Sequence, residues 1–158
     1  RRAGTENVPG ISGLGAAARL AAEKLAERSE KDTAELRNRL ETGILASVPD
    51  TFVNGNMAIR VPNTTNISFD RVEAESLLIA LDLEGVAVST GSACSSGTLE
   101  PSHVLRAMGL STHRTQNSIR FSLGLGNTSE QIDHVIKIMP RIVEKLRNLS
   151  RSGSQVRS

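Results

Sequence analysis

The sequence predicts an α/β domain in which a small mixed sheet is layered against helices and a long helical segment leads in. Three observations point there. Apolar residues recur at helical spacing near both ends of the chain, from about residue 11 to 48 and from 132 to 149. Between them lie short apolar runs separated by turn residues. Residues 118–123 alternate cleanly, with Ile119, Phe121 and Leu123 on one side of a strand and Ser118, Arg120 and Ser122 on the other. A chain of 158 residues suits one domain with one modest core. With Phe52, Phe69 and Phe121 as its only aromatics, that core must be largely aliphatic.

The elements follow in order. Residues 1–15 are glycine-rich and read as a loop entering a helix. Leu14, Ala18, Ala21 and Leu25, then Leu36, Leu40, Ile44 and Val48, give the helical stripe, with residues 29–33 as a break and Pro49-Asp50 as the stop. Residues 57–61 and 66–69 read as strands flanking the turn pair Pro62-Asn63. Asp70-Arg71-Val72-Glu73 reads as a capping box with Asp70 as N-cap. The helix it opens carries Leu77, Leu78 and Leu81 and ends near Gly85. Residues 86–88 form a short strand feeding a Ser/Gly-rich segment. Pro101 suits the first turn of a helix bearing Val104, Leu105 and Met108 and ending at Gly109. Thr128-Ser129-Glu130-Gln131 is a second capping box. The final helix carries Ile132, Val135, Ile136, Met139, Ile142, Val143, Leu146 and Leu149, with a kink expected at Pro140. Residues 1–150 thus form the domain, and 151–158 read as a frayed tail.

Composition excludes several functions. No stretch approaches the roughly 20 apolar residues of a membrane span. The 19 basic and 17 acidic side chains are mixed along the chain, which leaves no footprint for a polyanion. Nucleic-acid stacking platforms need aromatic faces that this chain lacks. A single cysteine rules out an internal disulfide framework and suits a reducing, cytoplasmic compartment. His103, His113 and His134 lack the short spacings of a zinc site, so no metal is expected.

Three places remain where chemistry could reside. Cys94 sits in Ser89-Thr90-Gly91-Ser92-Ala93-Cys94-Ser95-Ser96-Gly97-Thr98, a polar, Gly/Ser-rich setting that displays a thiol, although no adjacent Lys or His lowers its pKa. It is either a reactive thiol or a bland one. Arg120 faces away from Ile119 and Phe121, either onto a wet sheet face or into a cleft where its guanidinium would fork a carboxylate. Gly4-Thr5 is either a plain turn or a phosphate-binding hydroxyl with its backbone N–H groups.

Four ordered words resolve these options by resemblance: Arg2-Ala3-Gly4-Thr5-Glu6-Asn7-Val8, Glu75-Ser76-Leu77-Leu78-Ile79-Ala80-Leu81-Asp82, Gly91-Ser92-Ala93-Cys94-Ser95-Ser96-Gly97 and Ser118-Ile119-Arg120-Phe121-Ser122-Leu123-Gly124. Together they resemble the C-terminal part of a group I cysteine desulfurase, a pyridoxal-phosphate enzyme of aminotransferase class V used in nitrogen fixation and iron–sulfur cluster assembly. The resemblance implies the small domain of a fold-type I enzyme, with a mainly antiparallel sheet covered by helices. It implies that Cys94 attacks the sulfur of a cofactor-bound L-cysteine, becomes a persulfide, releases alanine and passes sulfur to an acceptor such as an iron–sulfur scaffold protein. Arg120 then matches the residue holding the substrate carboxylate. Thr5 matches the residue reaching the cofactor phosphate of the other subunit of a homodimer. The family's Schiff-base lysine belongs to a His-Lys word that this chain lacks. Lys24, Lys31, Lys137 and Lys145 lie in amphipathic helical stretches. The chain alone is therefore expected to be inactive. The alternative is a non-enzymatic persulfide carrier, docking or dimerisation module derived from such an enzyme.

Overall fold

The computed structural model describes residues 4–27, 30–56, 59–90 and 102–155. The helical lead-in comprises α1 (Val8–Ala26) and α2 (Glu30–Ser47), with residues 28 and 29 of the expected break outside the described residues. Asn7 caps α1, accepting a hydrogen bond from the Gly10 amide, and Pro9 falls in the first turn where its missing N–H is no loss. The two helices have different fates. α1 buries none of its residues, whereas α2 sinks Leu40 and Ile44 into the core, and Val48 just past its end joins them.

Pro49-Asp50 ends α2, with Asp50 at φ 56°. Strand β1 (Thr51–Val53) follows at once, and β2 (Thr64–Phe69) pairs with it antiparallel. Residues 59–61 of the strand expected at 57–61 lie outside the ladder, and the place beside β2 is taken by 51–53; residues 57 and 58 are outside the described residues. Two of the apolar residues that suggested it are in solvent: Ile59 is 86 % exposed and Val61 59 %. The segment is instead anchored by Arg60, which makes two 2.8 Å hydrogen bonds to Glu41.

The capping box expected at Asp70 does not form. Arg71 takes φ 61°, a turn, and α3 (Ala74–Asp82) begins after Glu73, which caps it without a side-chain bond. Arg147 from the last helix holds both turns, donating to the carbonyls of Asp70 and Pro49. Leu77 and Leu81 are buried as expected, and the chain turns at Gly85 with φ 78°. β3 is Ser89–Thr90, just beyond the 86–88 run expected to be the strand. After it come α4 (His103–Ala107), capped by Ser102, and α5 (Thr112–Gln116), capped by Ser111 and not anticipated from the sequence. Next is β4 (Ser118–Ser122).

α6 (Ser129–Gln155) opens on the expected reciprocal cap. The Gln131 amide donates to Thr128 Oγ1, and the Thr128 amide donates to Gln131 Oε1. The helix runs on past Pro140 to Gln155, beyond Arg151 where a tail was expected. It packs on α2, where the missing Cβ of Gly43 makes room for Ile136; a Cβ there would come within 2.5 Å of it.

The sheet order is β1-β2-β4-β3, with every pairing antiparallel. One face carries Ile67, Phe69, Ile119 and Phe121 against α2, α3 and α6, closing a single aliphatic core that includes Leu40, Ile44, Leu77, Leu81 and Met139. α2 also places Glu41 at the edge of that face, where it accepts from Arg60 and from the Thr65 hydroxyl at 2.5 Å. Burial pushes the Glu41 carboxyl up. The hydrogen bonds from Arg60 and Thr65 and the nearby Arg60 and Arg37 charges outweigh burial and hold it below its usual value.

Candidate functional site

The sheet face not covered by the three helices carries the polar half of the strand alternation. In register across it stand Asn66 on β2, Arg120 on β4 and Ser89 on β3, each directly opposite the next. One step along are Phe52, Ser68 and Ser118. Directly opposed residues in antiparallel strands have Cβ atoms about 5 Å apart on the same side, so these side chains share one surface.

Arg120 projects from this face and is exposed, while its chain neighbours Ile119 and Phe121 are 0 % and 4 % exposed. Among the described residues its guanidinium has no hydrogen-bond or ion-pair partner. That sets it apart from Arg39, Arg60, Arg71 and Arg141, which are each paired with a carboxylate. An unpaired fork on a rigid strand is pre-organised to take a carboxylate.

Beside it lies a tight polar network. Asn54 Nδ2 donates to Asn66 Oδ1 at 2.6 Å, to Ser68 Oγ at 2.7 Å and to Ser118 Oγ at 3.0 Å. Arg114 from α5 donates through Nε to Asn54 Oδ1 at 2.8 Å and through Nη2 to the Val53 carbonyl at 3.1 Å. Its guanidinium also lies 5.4 Å from the centre of the Phe52 ring. The hollow between Phe52, Arg114 and His113 has a volume of about 180 Å3. That is below the roughly 300 Å3 of a small-molecule pocket.

Cys94 lies outside the described residues. Its tether is partly visible, because β3 pairs with β4 through Ser89 opposite Arg120 and Thr90 opposite Ile119. Cys94 follows Thr90 by four residues, a contour of at most about 14 Å. Thr5 is exposed in the lead-in to α1, and α1 buries nothing, so nothing among the described residues seats Thr5 against the sheet. The structure thus brings Arg120 and the root of the Cys94 segment together and leaves Thr5 apart. Lys24, Lys31, Lys137 and Lys145 are all exposed on helices, and Lys24 is bound to Glu27. None of them offers a buried amine to hold pyridoxal phosphate. His103, His113 and His134 are exposed as well.

Sequence reasoning missed Asn54, Asn66 and Arg114. The signal for Asn66 was present, since it alternates with Ile67 as Arg120 does with Ile119. The signal for Arg114 was absent, because it depends on α5 folding back over the sheet.

This fold has known counterparts. The chain matches the aminotransferase class-V family over residues 1–135 and belongs to that family. Within it, the chain is 56 % identical over 150 residues to a cysteine desulfurase of Nostoc sp., covering 95 % of this chain and 37 % of that one. It is 49 % identical over 150 residues to the cysteine desulfurase NifS of Azotobacter vinelandii, with the same coverage. A solved NifS-like protein superposes with a TM-score of 0.77 at 33 % identity over 92 % of this chain and 36 % of its own. The chain therefore spans little more than a third of the length of the curated relatives it matches. No helix among the described residues is long and apolar enough to cross a membrane.

Proposed function

We propose that the chain is the small-domain portion of a pyridoxal-phosphate-dependent cysteine desulfurase that moves sulfur from L-cysteine to Cys94 as a persulfide and releases alanine. The observation that carries this reading is the unpaired Arg120 guanidinium directly opposite Ser89, on the strand that leads into the Cys94 segment. A carboxylate gripped by Arg120 lies within the compass of a thiol on that short tether. The thiolate of Cys94 attacks the substrate sulfur. The carbon–sulfur bond breaks, its electron pair returns to the alanine fragment, and sulfur stays on the enzyme. Pyridoxal phosphate, when bound in the complete protein, supplies the electron sink that weakens that bond. Cys94 then hands its sulfur to an acceptor, for which the names of the relatives suggest iron–sulfur cluster assembly. Thr5 serves the cofactor phosphate of the other subunit in a homodimer, and the protein works in the cytoplasm. The 158-residue chain has no lysine placed to hold the cofactor and does not turn over alone.

The test supplies the chain with the missing N-terminal portion of the Nostoc relative, pyridoxal phosphate and L-cysteine. Alanine release and a mass gain of one sulfur atom on Cys94 are expected, both abolished by Cys94→Ala and strongly reduced by Arg120→Ala. Alanine release that survives Cys94→Ala overturns the assignment. Release by the chain alone, above the free-cofactor background, overturns the claim that it needs the rest. A sulfur gain on Cys94 from another persulfide, without alanine release in the reconstituted pair, favours the carrier reading.

A further inference from the structure

The network beside Arg120 has a direction, and it is set by chemistry rather than by distance. A guanidinium only donates, so the Asn54 atom 2.8 Å from Arg114 Nε must be the oxygen. That turns the Asn54 amide nitrogen toward Asn66, at 2.6 Å. The Asn66 atom receiving it must accept, and is therefore Oδ1. Either amide flipped would set two donors or two acceptors face to face. Ser68 and Ser118 complete the arrangement, since Ser68 donates to Asn54 Oδ1 and Ser118 donates to the Arg114 carbonyl. The outcome is that Asn66 has its acceptor engaged and its Nδ2 group without a partner among the described residues. That group stands on the sheet face that carries Arg120, on the residue directly across the strand pair from it.

We infer that Asn66 is a second carboxylate-binding residue, donating through Nδ2 to the carboxylate that Arg120 holds, and that Asn54 and Arg114 are positioning residues that fix its polarity. This rests on the assignment of the substrate carboxylate to Arg120 and extends it. A carboxylate has more acceptor sites than one guanidinium edge fills. A fixed amide about 5 Å away across the sheet takes one of the others and sets the rotation of the substrate about its carboxylate axis. Asn66 also favours a carboxylate over a neutral amide, because it offers a donor where an amide N–H would meet it head-on.

The test is a titration of the 158-residue chain with L-alanine, followed through the Asn66 side-chain NH2 and Arg120 Nε–H resonances, with L-alaninamide as the control. Both signals are expected to move with alanine and to stay still with alaninamide. Asn66→Ala should weaken alanine binding read at Arg120 about tenfold, the scale of a hydrogen bond to a charged group. Asn66→Asp, which keeps the shape, should abolish binding by placing a carboxylate opposite Arg120. Arg114→Leu should split or broaden the Asn66 NH2 pair as the amides lose their fixed polarity, while the core methyl resonances hold still. If the Arg120 signal titrates equally well in wild type, Asn66→Ala and Asn66→Asp, the Asn66 role is overturned and the Arg120 assignment stands. If neither signal responds to alanine in the wild type, the Arg120 assignment falls and takes this inference with it.

Discussion

On the covered face of the sheet, Ile67, Phe69 and Ile119 are wholly shut off from solvent. On the other face, one residue along each strand, stand Asn66, Ser68 and the solvent-exposed Arg120. The two faces share a backbone, so the contrast is purely one of side chains and of what packs on them. The covered face is stabilised by area removed from water, and its residues are interchangeable with others of similar shape. The open face is organised by donor–acceptor complementarity, in which Asn54, Asn66, Ser68, Ser118 and Arg114 pin one another and leave Arg120 free among the described residues. Folding and the proposed site are separated by a single peptide bond, between Ile119 and Arg120.

The largest effect is expected on the covered face. Ile119→Ala leaves a cavity at the centre of the sheet and should cost about 3 kcal/mol in urea unfolding. A loss under 1 kcal/mol would mean that the core closes over the gap and that β4 is not its centre.

Glu41→Gln should cost a similar or slightly smaller amount, about 3 kcal/mol, because it leaves the partly buried Arg60 without its carboxylate and the buried Arg37 without a nearby negative charge. It also has a pH signature. The Glu41 carboxyl is held below its usual value of 4.5 when folded. As pH falls through 4.5 the unfolded chain takes up its proton first, so the stability Glu41 contributes is complete above that pH and is lost as pH drops through the lower folded value. Wild type should therefore lose stability below pH 4.5 more steeply than Glu41→Gln. Parallel curves would show that the ion pair is not maintained in solution.

Arg120→Ala sharpens the contrast from the other side. Unfolding stability should change by no more than about 0.5 kcal/mol, as for an exposed side chain with no partner, while the alanine response vanishes. A large loss of stability would place Arg120 in the packing rather than in the site.

The smallest effect on stability is expected from removing residues 1–27, since α1 buries nothing. Thermal unfolding should be nearly unchanged. Sedimentation at high concentration should show less self-association, because Leu14, Leu20 and Leu25 are 71 %, 52 % and 60 % exposed. A full chain that is strictly monomeric at high concentration contradicts that expectation.

The local signals in the sequence were those with short range. The alternation of residues 118–123, the Thr128–Gln131 cap and the Leu77/Leu81 stripe each depend on neighbours within a few residues, and each is where it was expected. The proposed roles of Cys94, Arg120 and Thr5 were legible through the spelling of motifs, and Arg120 was also legible through its place on a strand. What failed were choices decided at a distance. Ile59 and Val61 spell a strand, yet Glu41 on α2 claims Arg60 between them, and the ladder with β2 is taken by Thr51–Val53. Asp70 and Glu73 spell a cap, yet Arg147, far along the chain, holds that backbone in a turn. By itself the sequence determined the periodicity of each element, the aliphatic core and the family, because these are set by residue type and near spacing. Only the tertiary structure decided which strand pairs with which, which amide points which way beside Arg120, and that one of two consecutive amphipathic helices is left without a face to cover. Those depend on groups from α2, α5 and α6 arriving at the same place, and pairing energies of that kind exist only once the chain has folded.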